Sequence, residues 1–187
     1  MSIEALIQAY EGHELCRIYP RRRRGSTTRT LHVLRDINDF CVVGPSGVAI
    51  RNARSVRVAQ NLWVAMGADL IQFADGRELA VRRADATHDG DEQSNIARLY
   101  PDEEVWEIRV QQKRDGLHLF GRFWEKDKFV GLLWGYKGHN DQLLTPAQYH
   151  TASRGCRDVW DRMFNNAAPH TGVHPDAYLH RTRPVPR

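Results

Sequence analysis

The sequence predicts an α+β fold: an N-terminal helix plus a small antiparallel β-sheet or barrel, then a three-stranded antiparallel sheet with a C-terminal helix and an extended tail. Three observations carry this. Apolar residues recur with helical period at the start of the chain and again over 145–164, short alternating runs separated by turn residues fill most of the remainder, and a polar acidic stretch divides two β-rich regions. With 187 residues, 41% of them hydrophobic, the chain is long enough to bury a core without disulfides or metals.

The elements follow in order. "SIEALIQAY" opens with Ser2 as an N-cap and places Ile3, Leu6, Ile7 and Tyr10 on one helical face before Gly12 ends it. "ELCRIY" and "RTLHVLR" read as strands joined by a long loop over 20–28. "FCVV", "VAIRN", "SVRVAQ", "LWVAM", "DLIQFA" and "ELAVRR" read as further strands, with turns at "GPSG" and "DG", the second a two-residue hairpin signal. Residues 1–84 thus form a β-rich subdomain with a basic hairpin loop. Residues 85–104 read as an acidic linker or surface loop, with "NIARLYP" as a short helical turn. Residues 105–164 form an α+β subdomain: strands "VWEIRVQ", "LHLFGRFWE" and "KFVGLLWGY", then a helix capped by Thr145 with Pro146 at its first position. Tyr149, Ala152, Cys156, Val159 and Met163 share one face of that helix. The last stretch, 165–187, holds four prolines and no sustained period, and reads as an extended tail or partner-binding arm.

Composition excludes several classes. No apolar stretch approaches the length needed to cross a bilayer, and "MSIEALIQAY" lacks the basic start and apolar run of a secretion signal. A cytoplasmic location without a membrane partner is expected. Cys16, Cys41 and Cys156 are odd in number and far apart, so they read as reduced core residues and not as a disulfide framework. Nine scattered histidines show no ligand spacing, so neither a metal site nor a cofactor is expected.

Charge is the most informative feature. Residues 13–35 carry seven arginines against Glu14 alone, a local charge of +6 in a chain whose net charge is +4, so the remainder sums to −2. From Asp85 to Glu104 the sign reverses, with seven acids facing only Arg98. Four of the arginines are consecutive, Arg21, Arg22, Arg23 and Arg24. Guanidinium groups fit phosphate bidentately, so Arg17, Arg21, Arg22, Arg23, Arg24 and Arg29, helped by Thr27 and Thr28, are the candidate contacts for nucleic acid or another polyanion. The expected activity is binding without catalysis. An acidic protein surface, as in a phage-type assembly or inhibitor protein, is the competing partner. Trp106 and Trp160 are expected in the core, whereas Trp124 and Trp134 are candidates for stacking on bases.

Residues 105–164 carry one resemblance. A strand with Trp106, Glu107 and Arg109, a strand with Arg122 before Phe123, the run "LLWGYK" ending at Lys137, and the Thr145–Pro146 helix start together resemble RelE/HigB-type toxins and their phage-derived relatives. The resemblance implies a compact fold that cuts messenger RNA on the ribosome, with Arg109, Arg122 and Lys137 stabilising phosphate charge. His139, His118, or Tyr149 with His150, would move the proton.

Overall fold

A computed structural model gives the fold and describes residues 2–20, 28–38, 56–82, 96–112, 115–137, 145–180 and 182–184. The described strands form a single mixed sheet: β1 (Leu15–Ile18), β2 (Thr30–Leu34), β3 (Leu79–Arg82), β4 (Ile96–Tyr100), β5 (Val105–Gln112), β6 (Asp115–Glu125), β7 (Lys128–Lys137) and β8 (Thr182–Pro184). Their order across the sheet is β1-β2-β7-β6-β5-β4-β3-β8. The α+β class holds, but the sheet is larger than the sequence implies. β2 from the first half runs parallel to β7 from the second, with Leu31 opposite Phe129 and His32 opposite Val130. Strands of both halves therefore share one hydrogen-bonded sheet.

Helices cover both faces. α1 (Ile3–Tyr10) and α3 (Pro146–Phe164) lie on one side, and α2 (Val56–Ala74) on the other. The strand period of two sorts the residues between them. On β5, Trp106, Ile108 and Val110 pack with Leu62, Met66, Leu70 and Phe73 of α2. Val105 packs instead with Tyr149, Cys156 and Trp160 of α3. Where β6 and β7 cross, Gly121 is required by close approach: a Cβ there would lie 2.1 Å from the Val130 carbonyl oxygen and 2.4 Å from the Phe129 ring.

α3 forms as its sequence predicts. The Thr145 hydroxyl accepts from the Gln148 backbone N–H at 3.3 Å, and the Gln148 side chain accepts from the Thr145 N–H at 2.8 Å, a complete capping box. Asn165 in the left-handed conformation ends the helix.

Four expectations are corrected. "SVRVAQ", "LWVAM" and "DLIQFA" are not three strands but one helix, α2, whose buried Leu62, Trp63, Met66, Leu70 and Phe73 keep a helical period. The Asp75–Gly76 turn closes that helix instead of a hairpin: Gly76, at φ 69°, donates to the Phe73 carbonyl at 3.0 Å and Arg77 to that of Gln72 at 3.3 Å. "NIARLYP" is no helical turn, because Ile96 and Ala97 pair with Ile108 and Glu107 as β4 and are fully buried; the 3-10 turn comes after it, at Pro101–Glu103. The tail is no free arm. Its short helix α4 (Pro175–Tyr178) packs Tyr178 against both Trp106 and Phe123, at ring-centroid distances of 4.7 and 5.5 Å, and β8 pairs with β3. The strands expected at "FCVV" and "VAIRN" lie outside the described residues.

Candidate functional site: the edge hairpin and the polar face under α3

β1 is an edge strand, paired only with β2 among the described strands. Leu15, Arg17 and Tyr19 follow one face of the strand; Leu15 is buried in the core, Arg17 is exposed, and Tyr19, past the strand end, has 66% of its surface exposed. The Arg17 guanidinium carbon lies 5.4 Å from the centre of the Tyr19 ring, a cation–π pair in the open. Arg21, Arg22, Arg23, Arg24 and Thr27 lie outside the described residues, and Thr28 is exposed.

Arg29 corrects the sequence reading. It is 3% exposed and directed inward, where Nε donates to Asp127 Oδ1 at 3.1 Å, Nη1 to the Arg77 carbonyl at 2.7 Å, and Nη2 to the His180 carbonyl. The guanidinium also lies 5.4 Å from the Phe73 ring centre. A guanidinium so enclosed cannot meet a polyanion. Asp127 also accepts from the His180 backbone N–H at 2.9 Å and contacts the His180 imidazole. These bonds hold the Asp127 carboxyl below its ordinary pKa against the opposing effect of its own burial, which is the largest single influence on it. Arg29 therefore clasps the end of the arginine loop to the β6–β7 turn, the segment after α2 and the tail.

Beneath Arg17, His32 is buried with its Nε2 3.6 Å from Glu11 Oε2 and its ring 5.6 Å from that of Trp124. Burial, with Arg17 adding to it, lowers the imidazole pKa in spite of Glu11. Trp124 is half-buried against this face and Trp134 against the α2 side, 5.2 Å from Trp63, so neither presents an open stacking surface.

Of the residues singled out by the toxin resemblance, Glu107, Arg109, His118 and Arg122 fall on the sheet face beneath α3, whereas Trp106 and Phe123 face α2. Arg109 sits opposite His118 across β5 and β6, and His118 Nδ1 contacts Glu107. The His118 ring lies 6.3 Å from that of Tyr149. All four side chains are buried. Arg122 stands four residues further along β6, a separation of roughly 13 Å in an extended strand. Its Nη2 donates to the Glu103 carbonyl at 2.7 Å, and its guanidinium lies 5.4 Å from the Trp160 ring centre. Burial lowers its pKa. Glu103 is held in turn by Ser153 and, at 3.7 Å, by Arg157. The fold thus brings Arg109 and His118 together but places Arg122 in a separate, α3-stitching network. Lys137 pairs through its backbone with Gly116, and His139 lies outside the described residues.

The Glu107–His118 pair is what sequence reading missed. A carboxylate that fixes one imidazole nitrogen sets the tautomer, and His118 Nε2 has no hydrogen-bond partner among the described residues. The signal was the antiparallel register, which neither residue displays alone. Among the described residues no three His, Cys, Asp or Glu side chains group to hold a metal ion, and no helix is long and apolar enough to cross a membrane. In comparisons with known proteins, no family model, no curated protein and no solved structure matches this chain.

Proposed function

We propose that the protein binds nucleic acid, or a nucleoprotein, through the connection between β1 and β2. The carrying observation is how that connection is anchored. At one end Ile18 pairs with Leu31 at the sheet edge, and at the other Arg29 is fixed by its buried clasp. The described chain on either side of the 21–24 run is therefore held to the sheet, with Arg17, Tyr19 and Thr28 exposed beside it in sequence. Pre-fixed ends reduce the ordering cost of binding, and four consecutive arginines in a chain whose net charge is +4 supply the attraction.

The test is a salt titration of affinity for labelled oligonucleotides. Each neutralised phosphate contributes a slope of about −0.7 on single strands and −0.9 on duplex DNA in log affinity against log salt. Replacing Arg21, Arg22, Arg23 and Arg24 together with glutamine flattens the slope by about 3 if all four make contact. Unchanged affinity and slope in that variant would remove the proposal.

A ribonuclease reading has one observation in its favour, the Glu107–His118 pair beside Arg109. It demands that α3 move to admit a substrate. Expression of the chain with messenger RNA left intact and growth unaffected removes it, and Arg122→Ala does not serve as its control, because that change also cuts a structural bond to Glu103.

A further inference from the structure

Resting on the nucleic-acid reading, the geometry points to a single-stranded nucleic acid as the ligand, with one unstacked base seated on the ring of Tyr19. Three large hydrophobic residues stand exposed among those described, Tyr19, Val64 and Val173, and Tyr19 alone is aromatic. Burying an aromatic side chain stabilises a fold, and Tyr19 belongs to neither core. It stands instead at the end of the edge strand, two residues before the arginine run. Arg17 approaches the ring within 5.4 Å, which limits its rotation and brings a positive charge to the place where a base and its phosphate would lie.

The choice of single strand follows from access. In a duplex the faces of the bases are covered by their neighbours, so an arginine loop grips the backbone and an adjacent tyrosine has nothing to stack upon. In a single strand every base offers a free face, and an aromatic beside clustered cations is the arrangement that captures it. Uracil and thymine present the same stacking chemistry, so the ring by itself does not choose RNA over DNA.

The experiment uses the full chain and three labelled probes: a uridine homopolymer, a thymidine homopolymer and a blunt DNA duplex of equal length. Anisotropy is followed across about 50 to 200 mM salt, a range over which phosphate contacts weaken steeply. The wild type is expected to bind one or both single strands more tightly than the duplex. Tyr19→Ala should lower single-strand affinity about 5- to 150-fold, the fold-change equivalent to the ~1–3 kcal/mol of one stacked base, while duplex affinity and all salt slopes stay as they were. Tyr19→Phe, which keeps the ring face, should restore single-strand affinity. A duplex bound at least as tightly as the better-bound homopolymer, or a Tyr19→Ala variant equal to wild type on both, overturns the inference while salt-dependent binding still supports the parent reading. No binding to any probe removes both. Preference for the uridine probe assigns RNA, and preference for thymidine assigns DNA.

Discussion

Arg29 provides the sharpest test of which arginines serve the fold and which serve the ligand. Arg29→Met keeps an apolar stem near Phe73 but removes the guanidinium and its bonds to Asp127, Arg77 and His180. The Arg29 side chain is 1% exposed and that of Asp127 10%, so this is a buried pair, and removing the guanidinium leaves Asp127 with His180 in place of its arginine. Such a loss costs about 3–5 kcal/mol, against the 0–1 kcal/mol of a surface pair. At about 2–4 °C per kcal/mol for a chain of this size, the melting temperature should fall by roughly 6–20 °C. Urea unfolding followed by tryptophan fluorescence measures the loss directly. Asp127→Asn is the companion, since asparagine tolerates the φ of 61° at this turn, and the double variant should lose much less than the two singles added. Below its transition, Arg29→Met should bind oligonucleotides more weakly than the wild type but with the same salt slope, because the clasp fixes one end of the connection without itself touching phosphate. A variant that loses under ~1 kcal/mol and binds as weakly as the 21–24 variant would refute this account of the clasp.

Three further outcomes are expected. Because His32 has a folded-state pKa below its ordinary 6.5, the unfolded chain takes up the proton first, so stability present above pH 6.5 is lost as pH falls through the folded pKa. His32→Gln should flatten the fall in urea midpoints below about pH 6.5, and an unchanged profile counts against the assignment. Cys156 is fully buried with its thiol pushed up to about 12 by that burial; it should resist a disulfide reagent until urea exposes it, and mass spectrometry finding it labelled in the native protein as fast as half-buried Cys16 would contradict this. Gly121→Ala forces a methyl against the Val130 carbonyl and the Phe129 ring, so a loss of at least ~1–3 kcal/mol is expected by thermal melt, and a wild-type melting temperature would show that β6 and β7 can part there.

What the sequence revealed depended on whether the deciding contacts were local. α3 was legible because Thr145, Pro146 and Gln148 form its start within four positions. α2 was not: Val58, Trp63, Val64 and Ile71 are all strand formers, and Asp75–Gly76 signals a hairpin as strongly as a helix end. Only length, 19 residues without a proline, argued for the helix. The docked tail was hidden for a different reason. Tyr178 and Leu179 are two apolar residues amid prolines, and their burial is decided by Trp106 and Phe123 far back in the chain. Arg29 looked like a member of the basic run because Asp127, which claims it, is 98 positions away.

That distance bears on function. The loop most suited to a polyanion ends on a residue whose place is set by the β6–β7 turn, the segment after α2 and the tail together. Closing a loop onto a fixed point removes conformations before any ligand arrives, and the saving grows only slowly with loop length. The long connection is therefore tolerable because Arg29 pins it, and the pin depends on His180 being docked beside Tyr178. On the proposed reading, a tail with no chemical motif of its own bears on ligand binding by helping to hold Arg29, the residue at which the connection rejoins the sheet. The buried charge that the sequence groups with the phosphate contacts instead holds the chain where the connection returns to β2.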